Sequence, residues 1–335
     1  MIVTSPEGSK VYELNMTSLP EHYLHKDALS SDTMDRGTRL FILFMAMLIL
    51  AWISALLRAY VRIVMINNVA SEDWWMFASV LTYTGYCVSA LWGLVDGGTG
   101  KRTELLTLEE TYVGLKAWYF CEVLYAPTSA MVRTSVALFL HRIASESLHK
   151  WIIRINLGVV YLISTVFFFV VIFQCSPPRY FYEQVMGQPG TCMDINIVPN
   201  VTIAHSAIGA ACDLVFASLP IVMLWKVQLN KRTKVVIALL LSMGFVAGIA
   251  LLVRIPYVKR LAITPDFLYE TVYVAIWSVL EPSLGILAGC VATLRPLFKS
   301  LGFGKRTTQL YDDGPTHYSL SEGTHDRHGG DIPLT

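Results

Sequence analysis

Among the ionisable side chains that interrupt long apolar stretches of the sequence, three stand out: Arg133, Asp213 and Glu281. A charge at the centre of a membrane-spanning helix costs roughly 2.5–3.5 kcal/mol on insertion scales, so such residues usually mark a functional site or a structural ion pair. At a rise of about 1.5 Å per residue, the three lie at depths that differ by about 7 Å. One arginine between two carboxylates would compensate most of the buried charge. Two interpretations stay open: a polar cavity at mid-membrane, or an ion pair that holds three helices in register.

A second polar group lies where the first apolar stretch ends. Arg58 and Arg62 are four residues apart and share one helix face, and Asp73 follows across a short loop. This spacing predicts a salt bridge on the inner face of the membrane. The alternative is that the two arginines simply anchor the helix end on the cytoplasmic side.

Of six cysteines, only Cys175 and Cys192 fall in a loop between apolar stretches. This loop is expected on the outer, oxidising side, where disulfides form and persist. A disulfide between them would stabilise the fold by about 3 kcal/mol in the chain-entropy description. The alternatives are two free thiols, or a link from Cys175 to Cys121.

Two tripeptides match the acceptor pattern for N-linked glycosylation: Asn15-Met16-Thr17 and Asn200-Val201-Thr202. Both fall on the outer side if the N-terminus is outside. We therefore predict Asn15 and Asn200 as glycosylation sites.

Motifs typical of enzymes and metal proteins are incomplete or missing. The run Gly97–Thr103 resembles a phosphate-binding loop, but Arg102 stands where a serine or threonine must follow the lysine. The sequence contains neither His-Glu-x-x-His nor Gly-x-Ser-x-Gly, and its eight histidines are scattered. We predict no metal site and assign no catalytic residue.

Composition places these residues in a membrane protein. The 335 residues are 54% hydrophobic and only 15% charged, whereas soluble domains carry about 25% charged residues. A net charge of +1 gives no basis for binding nucleic acid.

A spanning helix needs roughly 20 apolar residues, and seven runs qualify: Leu40 to about Val64, Trp74–Val95, about Trp118–Leu140, Trp151–Phe173, Ile203–Trp225, Val235–Val253 and Thr271–Leu294. Because the runs are continuous and do not alternate with polar residues, they predict an all-α, seven-helix polytopic membrane protein, not a barrel.

The distribution of lysine and arginine predicts the topology. The bias favours an extracytoplasmic N-terminus and a cytoplasmic C-terminus. Residues 1–39 form a polar extracytoplasmic segment, residues 40–295 the membrane domain, and residues 296–335 a disordered cytoplasmic tail. Since residues 1–35 are polar, we expect the first helix to act as its own insertion signal.

Six short motifs occur in the order of a known family. They are Arg58-Ala59-Tyr60-Val61-Arg62, Glu72-Asp73-Trp74, Arg133-Thr134-Ser135 followed by Arg142, Gln174-Cys175-Ser176-Pro177 with Cys192, Asp213 with Pro220 and Trp225, and Glu281 with Leu294-Arg295-Pro296. Over residues 36–300 the chain resembles the fungal rhodopsin-like integral membrane family. That family includes membrane proteins of satratoxin-type toxin clusters and seven-helix receptor-like proteins. Arg133 stands where the family has lysine, and Arg102 stands where it has histidine.

The resemblance implies an accessory membrane protein of fungal secondary metabolism that handles an apolar small molecule. One alternative is a receptor-like sensor that couples an outer ligand to a cytoplasmic partner of its tail. Another is a membrane-embedded cyclase of terpenoid or polyketide intermediates, with Glu281 or Asp213 as proton donor. No retinal cofactor is expected, because Thr271–Leu294 contains no lysine for a Schiff base. The expected partners are membrane lipids and an apolar small molecule.

Overall fold

The computed structural model describes residues 19–224, 231–261 and 266–293. Long helices dominate this part of the chain: α1 (Leu19–Tyr60), α2 (Ser71–Val95), α3 (Leu108–Ile143), α4 (Ser147–Ile172), α5 (Ile197–Leu224), α6 (Lys231–Leu261) and α7 (Phe267–Thr293). The loop between α4 and α5 holds two antiparallel two-residue strands, β1 (Cys175–Ser176) and β2 (Thr191–Cys192), and a short helix, Tyr180–Glu183.

Within the described residues, seven helices are long and apolar enough to cross a bilayer. The predicted all-α seven-helix membrane bundle is therefore confirmed. The predicted tail and Asn15 lie outside the described residues.

The helix α1 extends well beyond its apolar part. It begins at Leu19, although the hydrophobic pattern predicted a start at Leu40. Hydropathy locates the part of a helix that sits in lipid and carries no signal for a polar extension of the same helix. The predicted boundary between residues 39 and 40 thus falls inside a continuous helix. At its other end α1 continues into a π-helical turn, Val61–Met65.

The helix α3 also begins earlier than predicted, at Leu108 instead of Trp118. Thr107 caps it: its Oγ1 accepts a hydrogen bond from the Glu110 backbone N–H at 3.2 Å, and Glu110 Oε2 accepts one from the Thr107 N–H at 2.9 Å. This reciprocal capping box satisfies two backbone donors that would otherwise be unpaired. The prediction was wrong because polar and acidic residues fill the first turns of α3.

The helix α3 is the centre of the bundle. Of its most apolar stretch 61% is buried, against 28% for α1 and for α4. It packs against α2, α4, α5 and α7. Side chains that α3 directs inwards therefore meet residues from several other helices.

The glycine-rich run between α2 and α3 is a close-packed turn. Gly98 and Gly100 adopt positive φ angles of 60° and 94°, a region that favours glycine. The Gly100 N–H donates to the Leu268 carbonyl at 2.9 Å, which ties the turn to α7. A Cβ on Gly97 would lie 2.6 Å from backbone atoms of Gly114. Close approach of helices explains these glycines without a bound phosphate.

Candidate functional site

The structure brings Arg133, Asp213 and Glu281 together between α3, α5 and α7. Arg133 donates from Nε and Nη2 to the two carboxylate oxygens of Asp213, at 2.8 and 2.9 Å. The same Nη2 lies 3.0 Å from Glu281 Oε1. Arg133 and Glu281 are only 5% and 4% exposed. One arginine thus lies between two carboxylates, as both interpretations of the sequence require.

Two uncharged side chains of α3 complete this group, and the sequence analysis missed them. Ser129 Oγ donates to Glu281 Oε1 at 2.7 Å, and the Tyr125 hydroxyl donates to Glu281 Oε2. Arg133 Nη1 in turn donates to Ser129 Oγ. Tyr125 and Ser129 precede Arg133 by eight and four residues, which places them on one helix face. We call these five residues, Tyr125, Ser129, Arg133, Asp213 and Glu281, the central cluster.

Each of the three helices that form the central cluster contains a proline. Pro127 lies within α3, Pro220 within α5 and Pro282 within α7. A proline inside a helix has no N–H and leaves the carbonyl four residues earlier without its usual helical partner. These helices therefore depart from regular hydrogen bonding near the buried charges.

An apolar cavity of about 190 Å³ opens beside the central cluster, and we call it the central cavity. Arg133, Asp213 and Glu281 reach one side of it. Its walls come from α3, α5, α6 and α7 together with Arg58 of α1, and its apolar lining includes Val132, Val136, Phe139, Phe216 and Met223. Such a lining with a few convergent polar groups is typical of small-molecule sites.

The predicted partners at the end of α1 also meet, with an additional carboxylate. Arg58 Nε donates to Asp73 Oδ1 at 2.8 Å, and Arg62 Nε lies 3.3 Å from the same oxygen. Glu72, which the sequence analysis did not assign to this group, accepts from Arg62 Nη2 and from Arg142 Nη1, each at 3.1 Å.

This group also joins the first spanning helix to the last one. Arg58 Nη1 donates to the backbone carbonyl of Gly289 in α7 at 2.6 Å. Asp73 Oδ2 accepts from the Ala70 N–H at the start of α2 at 2.9 Å. Arg58 and Asp73 are each 1% exposed. We call the end of the bundle that carries Arg58 the arginine end.

The opposite end carries the loop between α4 and α5, and we call it the disulfide end. Cys175 and Cys192 are disulfide-bonded and face one another in the β1–β2 pair, which confirms the predicted link. The alternative link is wrong, because Cys121 is a free, buried thiol. Tyr182 of the short loop helix packs on Tyr112 and Tyr119 of α3, with ring centroids 5.6 and 6.0 Å apart.

The glycosylation candidate Asn200 lies in the first turns of α5 and is exposed. The hydroxyl of Thr202, the third residue of its sequon, donates to the Val198 carbonyl at 2.8 Å. Glycosylation at Asn200 stays a prediction. Among the described residues, no group of three His, Cys, Asp or Glu side chains is arranged to hold a metal ion.

A further buried charge escaped the sequence analysis. Arg254 is 5% exposed and lies in α6, which continues to Leu261. The predicted sixth span ended at Val253, one residue before it. Extending that span by one residue would have identified this arginine as a further ionisable residue within a spanning helix. Its guanidinium carbon lies 4.6 Å from the centroid of the Tyr125 ring.

Comparison with known proteins identifies the family. The Fungal rhodopsin domain family matches residues 57–300. A SAT4 family membrane protein of Emericella nidulans is 29% identical over 216 residues, which is 64% of this chain and 53% of the relative. The polyenoic acids biosynthesis gene cluster protein Ba17b of Metarhizium anisopliae is 24% identical over 79% of this chain and 75% of its own length.

A third relative is satratoxin biosynthesis SC1 cluster protein 4 of Stachybotrys chartarum, which is 25% identical over 53% of this chain and 63% of its own length. The chain thus spans about half the length of the SAT4 family relative. No solved structure matches it. Because the family match covers well over half of the residues, this chain belongs to the fungal rhodopsin domain family.

Proposed function

We propose that this protein is an accessory membrane protein of fungal secondary-metabolite biosynthesis that binds an apolar small molecule in the central cavity. The observation that carries the proposal is the cavity itself, with apolar walls and the central cluster on one side. The names of the relatives support a role in secondary-metabolite biosynthesis, because several are biosynthesis cluster proteins. The extracytoplasmic N-terminus and cytoplasmic C-terminus belong to the same proposal.

The geometry of the carboxylates favours binding over acid catalysis. Asp213 accepts two hydrogen bonds from Arg133, and Glu281 accepts from Ser129 and Tyr125 while it pairs with Arg133. A carboxyl group that protonates a substrate needs an O–H directed at that substrate. Here the carboxylate oxygens receive hydrogen bonds from protein donors, which is the arrangement of an ionised group. This argues against either residue as the proton donor of a cyclase.

A deletion strain with complementation tests the proposal. We expect loss of the gene to change the metabolite profile of the fungus that carries it, and the wild-type gene to restore it. Val136→Trp, which fills the central cavity, is expected to fail to restore the profile at normal protein level. Val159→Trp is the matched control, because Val159 lies on α4, is 39% exposed and does not line the cavity. An unchanged profile in the deletion strain, or full rescue by Val136→Trp, would contradict the proposal.

A receptor-like sensor is the second candidate, and the position of Tyr125 favours it. The ring of Tyr125 contacts Arg254 on one side, and its hydroxyl bonds Glu281 on the other. A ligand that moved Arg254 would therefore act on the central cluster through a single side chain. Removal of residues 296–335 would distinguish the two: a sensor loses its signalling response, whereas a metabolite-binding accessory protein keeps its product profile.

A further inference from the structure

A second and larger cavity, of about 410 Å³, lies at the disulfide end, and we call it the distal cavity. Its volume falls within the range of roughly 300–1,000 Å³ that is usual for ligand pockets. Trp118, Val258 and Phe267 supply apolar walls, and Glu122, Gln174 and Arg254 supply polar groups. None of these residues lines the central cavity.

Arg254 is a buried cation that makes no direct salt bridge; the Glu122 carboxylate, which lines the same cavity, interacts with it electrostatically from beyond contact distance. Among the described residues no carboxylate lies within 4.0 Å of its guanidinium, and its Nε and Nη1 have no hydrogen-bond partner. Burial of an unpaired charge is unfavourable, and a single contact with the Tyr125 ring offsets only part of that penalty. An anion in the distal cavity would supply the missing partner.

A second unsatisfied donor faces the same cavity. Gln174 is 5% exposed, and its side-chain Nε2 makes no hydrogen bond of good geometry among the described residues, although the amide interacts with the Glu122 carboxylate. Its backbone carbonyl accepts from the Met193 N–H at 2.8 Å, beside the Cys175–Cys192 disulfide. The cross-linked loop thus holds the amide at the wall of the cavity.

We propose that the distal cavity binds a monocarboxylic acid with an apolar body. Arg254 and Gln174 donate hydrogen bonds to its carboxylate, and Trp118, Val258 and Phe267 contact its hydrocarbon part. The planar guanidinium matches a carboxylate in geometry. The acidic side chains of Glu122 and Asp194 also line the cavity and repel anions, and they disfavour a ligand with two negative charges, such as a phosphomonoester, more strongly than a monocarboxylate. The inference relies on the proposed function only in taking the ligand to be an apolar small molecule.

Binding of palmitate and of methyl palmitate to the purified full-length chain in detergent micelles tests this site. We expect palmitate to bind at least about 10-fold more tightly, since a hydrogen-bonded charge pair is lost in the ester. Arg254→Gln is expected to lower palmitate affinity by about 10- to 100-fold and to leave methyl palmitate binding nearly unchanged. Arg179→Gln is the matched control, because Arg179 is exposed at the same end and does not line the cavity.

Several outcomes would overturn the inference. Equal affinity of the wild-type chain for palmitate and methyl palmitate would overturn it. An Arg254→Gln protein that still binds palmitate more tightly than methyl palmitate would also overturn it. If Arg254→Gln does not fold, Gln174→Met is the variant to measure. Palmitate binding that is not weakened in Gln174→Met would then overturn the inference. If Val136→Trp loses palmitate binding and Arg254→Gln keeps it, the ligand binds in the central cavity and not in the distal cavity. Since these measurements use purified protein, a deletion strain with no metabolite change would refute the biosynthetic role and leave this site standing.

Discussion

At the scale of single residues, Arg133 contacts carboxylates from two other helices. Substitutions of Arg133 can therefore distinguish the effect of its charge from the effect of its planar geometry. Buried charges of this kind stabilise a fold weakly as a pair, but the loss of one partner leaves the other charge uncompensated. The bidentate contact with Asp213 depends on the planar guanidinium. A lysine keeps the charge and loses that geometry.

We therefore expect Arg133→Ala to lower the free energy of unfolding by about 3–5 kcal/mol, and Arg133→Lys by about 1–3 kcal/mol, the scale of a charged hydrogen bond. Thermal unfolding of the purified protein in one detergent measures both. Arg154→Ala is the control, because Arg154 is exposed on α4. An Arg133→Ala protein as stable as the control would show that the central cluster does not contribute to folding.

At the scale of elements, the junction of α2 and α3 depends on glycine. A Cβ on Gly97 would lie 2.6 Å from the backbone of Gly114 and 2.8 Å from the Gly93 carbonyl oxygen. Backbone atoms cannot rotate away as a long side chain can, so the two helices would have to separate. Gly158 in α4 offers the opposite case, since a Cβ there would meet nothing within 4 Å.

Gly97→Ala is accordingly expected to destabilise the fold by at least about 1–3 kcal/mol, the usual range for overpacking. Gly158→Ala should be neutral or up to about 1 kcal/mol more stable, because alanine favours a helix. Unfolding midpoints of the two variants measured side by side make the comparison. Equal midpoints would mean that α2 and α3 do not pack as closely as described.

The sequence predicted which segments are membrane-spanning helices more completely than it predicted where those helices begin and end. Continuous apolar runs predicted all seven spans, because lipid demands about 20 apolar residues from each. The same signal gave no information on the polar start of α1 or the capped start of α3. For the site, buried charge identified Arg133, Asp213 and Glu281. Tyr125 and Ser129 were missed because an uncharged hydroxyl group costs much less inside a spanning helix than a charge does, and only their spacing from Arg133 could have indicated them.

For the whole molecule, the distribution of charge predicts the orientation. The arginine end carries Arg58, Arg62 and Arg142, as expected for a cytoplasmic face. A protease-sensitive tag after Thr335 should be cleaved only after the cell is permeabilised. Endoglycosidase treatment should shift the mobility of the wild-type protein and not that of an Asn15→Gln, Asn200→Gln double variant. Cleavage of the tag in intact cells would show that the orientation is opposite to the predicted one.

The link between Arg58 and the carbonyl of Gly289 joins residues 231 positions apart, and Arg133 and Asp213 are 80 apart. At a synthesis rate of about 5–20 residues per second, Arg133 waits several seconds for Asp213, and Arg58 waits tens of seconds for the end of α7. Until then each arginine lies in or beside the bilayer without these partners. The bundle is therefore complete only when its last helix arrives, and a nascent chain that stops before α7 would present Arg133 without Glu281 and Arg58 without the Gly289 carbonyl to the machinery that removes unfinished membrane proteins.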